Sequence, residues 1–356
     1  MDGIGSFVTV RPMGPDDINN ERMSELMGAD VTLVTTSRIG DGLVGLNLRV
    51  GLECADPAVP SSVVIKLPSL DETSRATGMA LRNYEREVKF YLGVADTVDI
   101  RVPHCHHGEW HESSGDFILV LEDMAPAEQG NQVTGCSPEM AVAAVEELAK
   151  LHAPRWDDPT LNDLDWLGGR STPEDIAAVV GLWAMFLPSF LETYTHHLDA
   201  PQLDMLNAFG ERIEGWMNGR NGPKTVTHGD YRLDNLLFGD GTAAPRVTAV
   251  DWQTPGHGSP VVDLSYFCGA GLVPEERRTH DRALVRSYVS ALGIGGVDAD
   301  EAWVWEQYRR ETFAGVVMAV IASQVVGESE RSEAMFAAMA TRHLQHAIDL
   351  DSLALT

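Results

Sequence analysis

Apolar residues in the first third of the chain recur with period two. Leu46, Leu48, Val50 and Leu52 fall on one side of an extended stretch. Val31–Thr35 is β-branched, Val63–Leu67 is a short apolar run closed by Pro68, and Phe117–Leu121 is continuously apolar, so each predicts a strand. Before the last of these the period changes to that of a helix. Leu81, Tyr84, Val88 and Tyr91 share one face of a helix expected over roughly 75–92. From Ala125 to Gly135 the pattern is polar, with Pro126 and two glycines, and predicts a connector. Ser137-Pro138-Glu139 then supplies an N-cap, a proline at the first position and an acid in the first turn of a helix running to about His152. Helical periodicity continues over about 173–198, 201–218, 275–292, 299–326 and 330–353, interrupted by loop and strand signals between Thr225 and Asp251. This order predicts an α+β fold: a β-rich lobe over 1–124 with one main helix, a connector over 125–136, and a large, mostly helical lobe over 137–356. A ligand is expected in the cleft between two such lobes.

Composition narrows the function. The 356 residues, 44% of them apolar, suffice for a full core without disulfides, and the four cysteines make no C-x-x-C pair. Reduced thiols in a cytoplasmic protein are expected. With 53 acidic against 26 basic residues the net charge is −27, which disfavours nucleic acid as a partner. The N-terminus does not read as a signal peptide. The most apolar stretch, Ala314 to Val326, is shorter than the roughly 20 residues a bilayer span needs and is expected as a buried helix, so no membrane span is expected.

Three motifs carry chemistry. Gly40-Asp41-Gly42-Leu43-Val44-Gly45 is a G-x-G-x-x-G that leads into a strand rather than a helix. That argues against a dinucleotide fold and for a glycine-rich turn whose backbone N–H groups cover phosphates. Lys66 closes the apolar strand Val63-Val64-Ile65. A buried ammonium needs a carboxylate partner, and both Glu85 and Glu87 flank the apolar face of the following helix. His228-Gly229-Asp230 is followed by four residues and then Asn235, the Asp-to-Asn spacing of a kinase catalytic loop, and Asp251 ends the apolar run Val247–Val250. The set offers one carboxylate for an acceptor hydroxyl, and an amide with a second carboxylate for an oxygen-preferring Mg²⁺ ion.

Thr227-His228-Gly229-Asp230-Tyr231-Arg232-Leu233-Asp234-Asn235-Leu236-Leu237-Phe238 resembles the aminoglycoside and choline phosphotransferase superfamily. Val250-Asp251-Trp252-Gln253 and Gly258-Ser259-Pro260-Val261-Val262-Asp263-Leu264 resemble its ecdysteroid kinase-like (CHK kinase-like) branch, as do shorter stretches between Thr35 and Phe267. The resemblance implies a protein kinase-like two-lobe fold and an ATP-dependent phosphotransferase acting on a hydroxyl of a small molecule. It implies Asp230 as base or hydroxyl-orienting group and Asn235 and Asp251 as Mg²⁺ ligands. Lys66 would touch the α/β-phosphates with Glu87 as its partner, beside Gly40, Gly42 and Gly45. Glu122 to Met124 would meet the adenine edge of ATP. Asp263 and His228 would organise the catalytic loop. A monomer or homodimer is expected. The alternative is a catalytically inactive, nucleotide-binding pseudokinase.

Two further clusters carry less. His104-Cys105-His106-His107, with His111, could suggest a metal site, but neighbours on a strand point to opposite faces. Trp183, Phe186, Trp216, Trp303, Trp305 and Tyr308 could line an acceptor pocket, but at helical spacing they read first as core.

Overall fold

The computed structural model describes residues 14–40, 45–169, 171–242, 246–327 and 329–356. The chain forms two compact units, one ending at Leu92 and resuming over His104–Asp123, the other comprising Gly93–Pro103 and Met124–Thr356.

The first unit contains α1 (Asn20–Met27), β1 (Val31–Arg38), β2 (Gly45–Cys54), β3 (Ser62–Pro68), α2 (Glu72–Ala80), α3 (Asn83–Gly93), β4 (Cys105–Trp110) and β5 (Phe117–Glu122). The strands form one antiparallel sheet in the order β1-β2-β3-β5-β4. The alternating residues of β2 point into a core shared with Val63, Ile65 and Leu67 of β3 and with Ile118 and Val120 of β5. The single helix expected over 75–92 is two helices. Arg82 adopts a left-handed backbone (φ 58°) between them, and Leu81 is exposed rather than on the buried face with Tyr84, Val88 and Tyr91. No residue type at this position signals such a break, since arginine has no preference for positive φ.

The second unit holds β6 (Glu128–Gln129), α4 (Pro138–His152), α5 (Pro173–Tyr194), α6 (Ala200–Gly210), α7 (Ile213–Asn218), β7 (Thr225–Thr227), β8 (Leu236–Phe238), β9 (Val247–Ala249), β10 (Gly256–Gly258), α8 (Pro260–Gly271), α9 (Pro274–Ile294), α10 (Glu301–Arg310), α11 (Phe313–Val325) and α12 (Glu330–Asp349). The expected helices over 201–218 and 299–326 are each divided, at Glu211-Arg212 and at Glu311-Thr312. The nearly fully buried α8 carries no amphipathic pattern, which is why periodicity did not reveal it. Residues 93–103 belong to this unit, held by its backbone and by the Glu147 side chain. Asp99 N donates to Lys150 O (3.0 Å), Arg101 N to Glu147 Oε1 (2.6 Å), and Ala249 N to Arg101 O (2.9 Å).

One helical segment, Pro173–His197, is long and apolar enough to cross a membrane by length and composition alone. It is not the 314–326 stretch singled out by sequence. Its Ile176, Trp183, Phe190 and Tyr194 are buried in the core of the second unit with residues of α6, α7, α8, α11 and α12.

Candidate active site

The catalytic-loop segment follows β7. Gly229 has φ 79°, and a Cβ there would lie 2.2 Å from the Thr254 carbonyl oxygen. Only glycine meets both conditions, so the arginine of the protein-kinase motif H-R-D could not be accommodated here. The loop backbone is tied to α8 by Asp263, whose Oδ2 accepts from His228 N (2.6 Å) and Oδ1 from Gly229 N (3.0 Å). His228 is itself fully buried. Its Nε2 lies 3.0 Å from the Val250 carbonyl, which can only accept, so Nε2 carries the proton. Nδ1 is then the acceptor for Asp230 N at 3.3 Å.

Asp230 is half-buried, and its carboxylate is held on both oxygens. Arg232 Nε donates to Oδ1 (3.1 Å) and Oδ2 (3.0 Å), Tyr266 Oη to Oδ1 (2.7 Å), and Asn235 Nδ2 to Oδ2 (2.8 Å). Arg232 is braced in turn by Asp234 Oδ2 (2.8 Å), while Asp234 Oδ1 accepts from Gln132 N (2.9 Å). Burial works against the guanidinium charge, but Asp230, Tyr266 and Asp234 more than offset it, and Arg232 stays cationic.

Asn235 and Asp251 flank one end of a β-ladder. Leu236 pairs with Ala249 across β8 and β9, and Val250 N donates to Asn235 O at 3.0 Å. Asn235 Nδ2 also donates to the Asp230 carbonyl (2.9 Å). Both Nδ2 partners only accept, so the amide orientation is fixed and Oδ1 is left as a donor atom for a cation. Asp251 is half-buried with a left-handed backbone (φ 66°), a conformation a non-glycine residue rarely takes without a reason in its surroundings. One amide oxygen and one carboxylate fit the hard, oxygen-preferring character of Mg²⁺.

The cationic candidate lies in the first unit. Lys66 Nζ lies 2.5 Å from Glu87 Oε1, with both residues buried. Glu85 is instead taken by Arg82 (2.7 Å) and Lys89 (2.7 Å), which hold its carboxyl down at about 2 against the opposing effect of burial. The two glutamates that sequence left as alternatives are therefore separated by geometry. Gly40 (φ 65°) follows β1 and Gly45 opens β2, while Gly42 lies outside the described residues. Glu122 ends β5 with Oε2 accepting from His104 N (3.0 Å). Met124 is buried in the second unit, and its carbonyl accepts from Ala127 N (2.9 Å).

The remaining candidates resolve differently. His107 and His111 turn toward Glu109 (3.6 and 3.0 Å), while His104 and His106 pack edge to face. Among the described residues, the one group of three metal-type donors is His196, His197 and Glu333, all exposed. Trp183, Trp216 and Tyr308 are core residues, while Phe186, Trp303 and Trp305 are half-buried. The four cysteines form no disulfide. Sequence reasoning did not find Arg232 and Tyr266 as partners of Asp230. Arg232 lies inside the recognised motif, but Tyr266 is brought in from 36 residues away by α8 and has no local signal.

Solved structures of known proteins share this fold. The choline kinase of Cryptosporidium parvum Iowa II superposes with a TM-score of 0.54 at 12% identity, over 90% of this chain and 91% of that one. The GDP and kanamycin complex of the aminoglycoside phosphotransferase APH(2″)-IIIa superposes with a TM-score of 0.52 at 13% identity, over 84% and 90%. These likenesses show a kinase-like fold. Mouse acyl-CoA dehydrogenase family member 10 is 32% identical over 92 residues, a match covering 25% of this chain and only 8% of that much longer protein. The sequence model of the APH phosphotransferase enzyme family matches residues 72–306, from α2 through the catalytic loop and into α10. That span is well over half of the chain and contains Glu87, Asp230, Asn235 and Asp251, so the chain belongs to the phosphotransferase enzyme family.

Proposed function

We propose that this protein transfers the γ-phosphoryl group of ATP to a hydroxyl of a small molecule. The observation that carries the reading is the shared placement of Asp230, Asn235 and Asp251. Asn235 bonds to the Asp230 carboxylate through one end of its amide and presents its oxygen from the other, at the end of the ladder where Asp251 sits.

In this reading Asp230 orients the acceptor hydroxyl and takes its proton as the phosphoryl group arrives. Arg232 pairs with that carboxylate through Nε. Asn235 and Asp251 hold Mg²⁺, which when bound neutralises charge on the nucleotide phosphates. Lys66, fixed by Glu87, contacts the α/β-phosphates, Gly40 and Gly45 lie beside them, and Glu122 to Met124 meets the adenine edge. Phosphoryl transfer through a loose transition state asks mainly for positioning and charge neutralisation, which this inventory supplies. The ecdysteroid kinase-like resemblance around Asp251 and Asp263 favours an apolar or lipid-like alcohol as acceptor.

The test is Mg²⁺-dependent ATP binding by calorimetry, followed by an ATPase-coupled screen of hydroxylated compounds with Asp230→Asn as control. Turnover by the wild type, abolished in the variant while ATP still binds, is the expected result. Undiminished phosphorylation by Asp230→Asn would sink the assignment. ATP binding without turnover on any acceptor would favour the pseudokinase.

A further inference from the structure

The Asp230 carboxylate is also held by a residue outside the motif. Tyr266, on the second turn of α8, donates its hydroxyl to Oδ1 at 2.7 Å. Among the described residues this is the only hydrogen bond of that hydroxyl. Burial, and then the Asp230 charge, push the phenol well above its ordinary range, so it remains a donor.

The Tyr266 ring is fixed from behind. Its face lies on the imidazole of His343 in α12, with ring centroids 5.4 Å apart and planes within 13°. His343 is fully buried, and among the described residues neither ring nitrogen has a hydrogen-bond partner. Buried polar atoms are nearly always paired, so this ring calls for an explanation. Burial, helped by Arg277 and Arg342, pushes it down to about 3, and it serves as a neutral flat slab. Two helices leave room for it only because they carry glycine. A Cβ at Gly315 of α11 would lie 2.1 Å from His343 Nε2, and one at Gly269 of α8 would lie 2.5 Å from Nδ1. Real Cβ contacts do not occur at such distances, so the imidazole occupies the space that a side chain at either position would need.

We propose that Tyr266 is a positioning residue for the phosphoryl transfer, that it aims the Asp230 carboxylate, and that His343, wedged between Gly269 and Gly315, holds the Tyr266 ring in place. This rests on the reading in which Asp230 meets the acceptor hydroxyl. The terminal torsion of an aspartate has a broad energy profile, so its oxygens go where their donors put them. Arg232 Nε straddles both oxygens, at 3.1 and 3.0 Å, and leaves that torsion loosely defined. The short bond from Tyr266 to Oδ1, set against that from Asn235 to Oδ2, selects one orientation.

Tyr266→Phe tests this, because it keeps the ring and removes only the hydroxyl. Loss of one hydrogen bond to a charged group should lower kcat about 10- to 100-fold. KM for ATP and nucleotide affinity by calorimetry should be unchanged, and the variant should remain folded at the assay temperature. His343→Leu, with Tyr266 intact, should lower kcat by a smaller factor with the same nucleotide affinity. A wild-type kcat in Tyr266→Phe, or an equal loss of kcat and nucleotide affinity, would overturn the proposal. A wild type that neither binds Mg-ATP nor phosphorylates any acceptor would instead overturn the phosphotransfer reading. The positioning role is then read from crystal structures of wild type and Tyr266→Phe: a rotated Asp230 carboxylate supports it, and an unchanged one overturns it.

Discussion

The Asn235 side chain donates through one nitrogen to both the main-chain carbonyl (2.9 Å) and the carboxylate (2.8 Å) of Asp230. The residue read as a cation ligand thus also buttresses the Asp230 carboxylate. Asn235→Asp keeps an oxygen for the cation but loses both donations and sets a second negative charge beside Asp230. A drop in turnover of about 100-fold or more is expected, with Mg-ATP binding retained better than in Asn235→Ala. Steady-state kinetics and calorimetry on the two variants check this.

Lys66 and Glu87 form a buried pair, so removing one partner should cost more than removing both. Glu87→Ala leaves a buried ammonium and should destabilise the fold by about 3–5 kcal/mol. The double variant Lys66→Met/Glu87→Leu should regain much of that stability while still failing to bind ATP. Urea denaturation read beside nucleotide titration separates the two effects.

Asp263 accepts two successive backbone amides, those of His228 and Gly229. Asp263→Ala leaves two buried N–H groups without an acceptor and should destabilise by at least about 2 kcal/mol. Loss of turnover should accompany it although Asp263 touches no substrate in this reading. Chemical denaturation and kinetics on the same preparation check both halves.

Three buried histidines make the fold sensitive to acid. Burial lowers His152, His343 and His346 below their ordinary value of 6.5, His343 to about 3. Below 6.5 the unfolded chain takes up protons that these folded rings refuse, so stability falls as pH drops through that value. For His343 the fall continues toward its folded value near 3. Above 6.5 the effect vanishes. Each such ring contributes up to about 1.4 kcal/mol per pH unit within the window. Urea midpoints between pH 7.5 and 5 should decline on acidification, less steeply in His343→Leu.

What sequence revealed, and what it did not, follows the range of the interactions. The run from His228 to Asn235 is local, so its spacing alone places the amide beside the carboxylate. The period-two pattern of β2 and the capping residues Ser137 and Pro138 are also encoded by neighbours in the chain, and the strand and helix form there. The choice between Glu85 and Glu87 is not local. Both flank the same helix face, and only the position of β3 selects Glu87 for Lys66. The break at Arg82 is imposed by tertiary packing on a residue with no preference for it. Tyr266, His343 and the glycines around them are joined by contacts among α8, α11 and α12, and no spacing rule relates them.

The two bonds from Asp263 have a consequence for how the protein opens. A segment whose amides are held by a side chain on another element cannot fluctuate apart from that element. The segment at His228 and Gly229 is therefore expected to open together with α8. The amides of His228 and Gly229 should exchange their hydrogens with water only when α8, nearly all of it buried, comes away from the core. The slowest-exchanging part of this protein should then include its reactive segment, the reverse of the common arrangement in which catalytic loops are among the first parts to fray.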